Sequence, residues 1–306
     1  MKNIIVFGYG LDGVQAYLRL EEQGGGVKYN LIGFADNSLA KQGKIAFEKP
    51  IKSLDDLEAL NQKLSFSVVI ASSKWMTIKK QLEERKIEIY GIMINSKLQK
   101  YDEVACFDKL DCSKPVFLYA GDIADEIHMA NDNLFGLSIT KMDAKHIFHD
   151  ITWKYPLPDE SIYAYQAEDV LEHIEIEKVV PALNEIYRIL RKGSVLRICL
   201  PDYNSPHLSR VSLKDDTGKI LFDPTGGGEL SLFGVGSGGH VWFPTYHLVK
   251  ELLEKSSFNE VDFICYHTVK GELVKKKFDY LNGYVNRVSD IQDNQEIYSM
   301  IVDCKK

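Results

Sequence analysis

Residues 156–202, PLPDESIYAYQAEDVLEHIEIEKVVPALNEIYRILRKGSVLRICLPD, decide the fold class of this chain. Ser161 to Tyr165 reads as a strand, and Asp169 or Glu168 is placed to accept backbone N–H groups at the start of a following helix. Leu171, Ile174, Val179, Leu183, Ile186, Ile189 and Leu190 then recur at spacings near three and four, which predicts one buried helical face. Arg191, Lys192 and Gly193 are expected to end that helix, since cations suit the negative end of the dipole and Gly tolerates positive φ. Val195 to Leu200 is an apolar run suited to a strand covered on both faces. Strand, amphipathic helix and buried strand in this order predict an α/β domain.

Working outward, 306 residues suffice for two domains with separate cores. With 45% hydrophobic and 26% charged residues the composition is globular, and a net charge of −7 leaves no basic footprint for nucleic acid. No apolar run approaches about 18 residues, and Met1-Lys2-Asn3 passes directly into a strand-like segment. Neither a signal peptide nor stable membrane insertion is expected, and a cytoplasmic location follows. The cysteines Cys106, Cys112, Cys199, Cys265 and Cys304 contain no CxxC pair, so neither a disulfide framework nor a zinc site is indicated.

The amino-terminal part carries a second signature. Ile4 to Phe7 is a buried-strand pattern followed at once by Gly8-Tyr9-Gly10-Leu11-Asp12-Gly13 and a helical run through Leu20. This is GxGxxG between a strand and a helix, where Gly8 permits the turn, Gly10 admits a phosphate and Gly13 lets the helix approach the strand. The next strand, Tyr29 to Phe34, leads to Asp36, where a carboxylate can accept a bond from a ribose hydroxyl. A third strand, Phe66 to Ala71, precedes a helix over Trp75 to Glu84. Residues 80–114 are too short for the second half of a full dinucleotide fold. The turn is therefore compatible with a nucleotide or nucleotide sugar, with NAD in an oxidoreductase, or with packing alone. Residues 1–105 resemble the small Rossmann-like domains fused to polysaccharide-biosynthesis enzymes, including the amino-terminal domain of sugar acetyltransferases. The resemblance rests on Gly8, Gly10 and Gly13, on Ile32-Gly33-Phe34-Ala35-Asp36-Asn37, and on Gly43, Pro50-Ile51 and Leu54 to Leu60.

Asn95 to Lys114 has few apolar repeats, which places a domain boundary near residue 110, giving domains 1–110 and 111–306. Residues 115–306 resemble the class I S-adenosylmethionine (SAM) dependent methyltransferases. The residues that carry this are Pro156 to Ser161, Glu168-Asp169-Val170-Leu171-Glu172-His173, Glu185 to Leu190 with Gly193, and Leu196-Arg197 before Pro201-Asp202. The resemblance implies two Rossmann-like domains in all, the second with a reversed final strand. It implies strands at Val116 to Tyr119, Leu134 to Ile139 and Lys145 to Phe148, and a terminal pair at Phe263 to Tyr266 and Ile297 to Val302. It also implies SAM as cofactor, with Ala120-Gly121-Asp122 under its methionine part, Asp143 near the ribose, Asp150 and Ile151 at the adenine, and Gln166, Ala167 and Glu168 at the sheet edge. The family's first loop has two or more glycines, whereas only Gly121 stands here. A catalytically degenerate fold serving as a nucleotide-sugar binding module therefore stays open beside a methyltransferase.

Phe222-Asp223-Pro224-Thr225 leads into seven glycines between Gly226 and Gly239, then His240-Val241-Trp242-Phe243. So many glycines predict a loop wrapped closely on a ligand, followed by a helix from His247 to Lys255. His240 suits a general base or an anion contact, and equally a satisfied core imidazole. Trp242 and Phe243 read as packing residues. His240, Asp169 and His173 are the catalytic candidates. His173 follows Asp169 by four residues on the expected helix, so an internal bond is equally compatible, and no metal is expected at this pair. Glu172 and Glu175 are expected on the solvent face. The function these readings imply is methyl transfer to a sugar or sugar-linked acceptor in surface-polysaccharide synthesis, with a homo-oligomer left open.

Overall fold

Every apolar run assigned above to a strand overlaps one. The computed structural model describes residues 1–123, 131–231, 234–236, 238–277 and 297–306. The chain divides into two units, Met1–Val104 with Thr140–Ala144, and Ala105–Ile139 with Lys145–Lys306.

In the first unit, β1 (Lys2–Phe7), β2 (Tyr29–Ala35), β3 (Ile45–Ala46), β4 (Lys49–Lys52), β5 (Ser67–Ile70), β6 (Glu88–Ile94) and β7 (Lys97–Lys100) form one sheet in the order β3-β4-β2-β1-β5-β6-β7. The inner pairs are parallel and the outermost strand on each side is antiparallel. Ile4, Ile5, Val6 and Phe7 are fully buried, as a central strand covered on both faces requires. Helices α1 (Leu11–Glu22), α2 (Leu54–Asn61) and α3 (Trp75–Glu84) belong to this unit, α2 opening on a reciprocal Ser53–Asp56 capping box. The strand β7 falls in residues read above as having few apolar repeats, and β6 in the stretch read only as too short for a second half. β6 has no polar alternation to mark it, and β7 presents no buried residue.

The second unit contains β8 (Phe117–Ala120), β9 (Leu134–Ser138), β10 (His146–Phe148), β11 (Ile162–Glu168), helix α4 (Ile176–Ile189), β12 (Leu190–Pro201) and the short helix α5 (Pro206–Val211). The hairpins β13 (Leu213–Lys214) with β14 (Ile220–Phe222) and β15 (Glu229–Ser231) with β16 (Gly234–Gly236) follow. Helix α6 (Tyr246–Glu254), β17 (Glu260–His267), β18 (Leu273–Lys275) and β19 (Ser299–Lys305) complete the described elements. The main sheet runs β10-β9-β8-β11-β12-β19-β17-β18. Strands β10, β9, β8, β11 and β12 are mutually parallel. β19 enters antiparallel between β12 and β17, and since β17 is antiparallel to β19 it runs with β12. This is the strand order of a class I methyltransferase sheet with its reversed last strand, so both units are α/β with a Rossmann-like sheet.

Three local expectations need correction. The helix does not start at Asp169: Leu171–His173 is a 3₁₀ turn, and α4 begins at Ile176 after Glu175, which makes no side-chain cap. Asp169 instead adopts φ +51° and donates its N–H to the Cys199 carbonyl. Asp169 and His173 therefore do not share a helical face. Second, the helix stops at Ile189 and Arg191, Lys192 and Gly193 already belong to β12; Gly193 takes φ +79° as a kink inside the strand, its N–H bonded to the Lys306 carbonyl. Third, Glu172 is fully buried, because the backbone of Val241 returns over it and donates to the Glu172 carbonyl at 2.9 Å.

The largest fully buried side chain among the described residues is a charged one, Arg197. Arg197, with no exposed surface, meets Asp303 across β12 and β19 through two bonds, Nε to Oδ1 at 2.7 Å and Nη2 to Oδ2 at 2.6 Å. This two-pronged geometry is what lets a guanidinium sit inside a sheet. Arg188 at the end of α4 bonds Glu185, Asp159 and the carbonyls of Tyr155 and Leu157, tying the helix to the segment before β11. Among the described residues no helix is long and apolar enough to cross a membrane.

Candidate active site

The carboxyl ends of β8, β10, β11 and β12 lie on one edge of the second sheet, the edge at which open α/β sheets take ligands. At the end of β8, Gly121 turns with φ +107°, a conformation that suits Gly, and donates to the Leu137 carbonyl at 2.8 Å. A Cβ at Gly121 would find only ordinary contacts, 3.7 Å to Tyr119 and 3.8 Å to Val170. The turn is fixed from below by His146, whose Nε2 accepts from the Ile123 N–H at 2.9 Å, and by Gly136, where a Cβ would come within 2.9 Å of the Gly121 oxygen.

Around this turn the expected cofactor residues fall unevenly. Ala120, Ile151 and Ala167 are buried in the core. Asp150 accepts from the N–H and hydroxyl of Thr152, both through Oδ1, so Oδ2 is the oxygen available to an exocyclic amine. Gln166 and Glu168 turn toward each other at 3.3 Å, and the Tyr119 hydroxyl donates to Glu168 at 3.0 Å. Burial, then the Glu168 charge, pushes the Tyr119 phenol well above its ordinary value. Asp143 lies in Thr140–Ala144, which belongs to the first unit.

Asp169, His173 and His240 line one pocket of about 460 Å³, together with His207, Asp223 and Thr225. His240 is held on several sides. Its Nδ1 lies 2.5 Å from the Tyr203 hydroxyl, which donates to Asp223 Oδ2 at 2.7 Å. Its Nε2 lies 3.8 Å from Glu172 Oε1, and a Cβ on Gly226 would fall 2.5 Å from its ring. Gly226 therefore serves close backbone approach to the imidazole. Burial would raise the Asp223 carboxyl, but bonds from Tyr203 and Thr225 and the adjacent His240 outweigh it and hold the group below its ordinary value. His173 Nδ1 lies 3.2 Å from the Gly239 carbonyl, and its ring meets that of His240 edge-on at 4.8 Å. Trp242 is a core residue, its indole N–H donating to the Leu171 carbonyl, and Phe243 packs edge-on against Tyr203.

Sequence reasoning missed Glu172, Tyr203, Asp223 and His146. Of these only Asp223 had a signal, the Asp-x-Thr spacing of a side-chain turn, in which its carboxylate takes the Thr225 N–H and hydroxyl.

In the first unit packing accounts for two of the three glycines of the turn. A Cβ on Gly13 would lie 1.8 Å from the Gly8 oxygen, and one on Gly8 2.2 Å from the Ala71 oxygen, while Gly10 faces open space. Asp36 accepts from the Tyr9 N–H, the Ser38 N–H and Lys41 Nζ, at 2.8, 2.8 and 2.9 Å. Burial works against its charge, but these donors prevail and hold its carboxyl below the ordinary value.

No family model matches the chain. No curated protein matches it either. Among solved structures, SAM-dependent methyltransferases from Archaeoglobus fulgidus and Mesorhizobium loti are each 15% identical over 65% of this chain, covering 90% and 97% of their own lengths at TM-scores of 0.39 and 0.37. A SAM-dependent methyltransferase from Thermotoga maritima, described as a possible histamine N-methyltransferase, is 16% identical over 65% of this chain and 86% of its own, at a TM-score of 0.39. Likeness at this level decides nothing about chemistry, which has to be read from the residues of the chain itself.

Proposed function

We propose that the second unit is a SAM-dependent methyltransferase whose cofactor lies along Gly121 and Asp150 and whose acceptor enters the pocket of Asp169, His173 and His240. The observation that carries this reading is the strand order β10-β9-β8-β11-β12-β19-β17, which sets the Gly121 turn, Asp150 and Asp169 at the ends of parallel strands on one sheet edge. The residues present suit the group: a turn with space for a ligand at its glycine, and a carboxylate oxygen suited to an adenine amine. Bound there, SAM would supply an electrophilic methyl group on a sulfonium.

The chain's own residues would then orient an acceptor and receive its proton. The polar wall of Asp169, His173, His207 and Thr225 suits a hydroxyl-bearing acceptor. Tyr203 also lines a second cavity of about 660 Å³, with Lys214, Lys219, Trp242 and Phe243. Aromatic faces beside ammonium groups suit a sugar ring carrying an anionic group, so a sugar or sugar-linked acceptor of surface-polysaccharide synthesis is the substrate class we assign. Calorimetric titration with SAM and S-adenosylhomocysteine tests the cofactor assignment. Micromolar binding that weakens in Asp150→Ala is expected; absence of binding at millimolar ligand would sink it and favour a degenerate binding module. In the first unit packing explains Gly8 and Gly13 while Gly10 faces open space, and no ligand is assigned to the turn.

A further inference from the structure

We propose that Glu172, His173 and His240 form a three-ligand site for a divalent transition cation, Zn²⁺ by ligand type, on the wall of the acceptor pocket. One ligand atom from each of the three residues lies within 4.8 Å of the others. Two imidazoles and a carboxylate are a set that binds Zn²⁺ with a fourth position left for water or substrate.

The outer contacts orient both rings. A carbonyl only accepts, so at 3.2 Å from the Gly239 oxygen the His173 Nδ1 carries the proton and the lone pair stands on Nε2. The Tyr203 hydroxyl gives its proton to Asp223, so it accepts from His240 Nδ1, which leaves Nε2 as the atom by which a neutral His240 would ligate a metal. That nitrogen faces Glu172 Oε1 at 3.8 Å. The separation is too long for an N–H···O bond, which spans about 2.7–3.2 Å. It is near the ~3.4 Å edge of a tetrahedron built on metal–ligand bonds of ~2.1 Å. An imidazole fixed through its other nitrogen by a carbonyl or a carboxylate relay is the usual outer support of a metal ligand.

Backbone contacts hold the ligands in place. Glu172 and His173 share the 3₁₀ turn Leu171–His173, and the segment carrying His240 is pinned to that turn through Val241 N–H and the Trp242 indole. If the methyl-transfer reading is right, a cation here would lower the pKa of an acceptor hydroxyl bound at its open position.

The full chain, dialysed against chelator and kept free of SAM, is titrated with ZnCl₂ by calorimetry and with CoCl₂ by visible absorption. A single saturable site with Co²⁺ d–d bands is expected, lost in His173→Ala, His240→Ala and Glu172→Gln. Tyr203→Phe keeps the ligands but loosens the His240 relay and should weaken binding roughly 10- to 100-fold. A rise in the thermal midpoint with Zn²⁺ in the wild type alone shows that the variants are folded but have lost the site. No Zn²⁺ binding at millimolar metal, or equal binding by wild type and all variants, would overturn the proposal. Because SAM is absent throughout, either result leaves the methyltransferase reading to its own test.

Discussion

The two glycine turns of this protein look alike in sequence and differ in what surrounds them. At Gly8–Gly13 the missing side chains make room for backbone, with carbonyl oxygens 1.8 and 2.2 Å from where a Cβ would be, and the nearby Asp36 is bound to the turn's own N–H and to Lys41. At Gly121 the glycine serves positive φ, its surroundings keep ordinary distances, and a wall of titratable side chains stands on the same sheet edge. The chain itself fills the space beside Gly8 and Gly13, whereas Gly10, like Gly121, is left clear.

The comparison is broken most directly at the pocket. Asp169→Asn should lower methyl transfer roughly 10²- to 10⁴-fold, the range for loss of a proton-handling group, while Asp36→Asn leaves it unchanged. Rates on a sugar-acceptor screen would decide; an equal loss in both would mean that the first unit takes part in the chemistry. Next in size, Arg197→Ala should cost about 3–5 kcal/mol by stranding Asp303 inside the sheet, read from denaturant unfolding. A loss under about 1 kcal/mol would mean that the pair is no more than a surface bridge.

A third test uses pH. His149 is almost fully buried against Phe107, Trp153 and Tyr155, with neither ring nitrogen bonded. Burial lowers its pKa to about 4, against smaller opposing effects from Asp150, Trp153 and Glu185. The unfolded chain takes up this proton near 6.5, so the stability is whole above that pH and is lost as pH falls from about 6.5 to about 4, up to roughly 3 kcal/mol. His149→Phe should flatten unfolding curves across that window; an unchanged slope would mean that the imidazole is solvated. Smallest, Gly13→Ala should cost about 1–3 kcal/mol through overpacking and leave SAM affinity intact. Gly121→Ala should do the reverse, weakening SAM more than it lowers the thermal midpoint.

Much of the fold was legible because it is local. The helix Trp75–Glu84 and the strands β1, β2 and β11 follow from apolar spacing that the chain carries wherever it is placed, while β9 and β17 were implied by the family resemblance. The carboxylate–imidazole motif at 168–173 was legible as residue types but not as geometry. It reads as a helix start, whereas Asp169 turns to φ +51° and the helix waits until Ile176. Likewise Glu172, in a sequence of exposed-looking acids, is buried by Val241, about seventy residues later, and Tyr203 gains its role only by meeting Asp223 and His240.

The sequence by itself determined two α/β sheets and the residue types that could handle a methyl acceptor, because periodicity and chemical identity are properties of the chain, while the reversed last strand was implied by the family resemblance alone. Only the tertiary structure decided that Gly13 serves packing, that Asp36 is bound within its own loop, and that Asp169, His173 and His240 line one pocket with Glu172 buried beside His240. Burial, hydrogen-bond partners and the direction of an imidazole lone pair depend on what distant segments bring alongside, and spacing along the chain does not encode them.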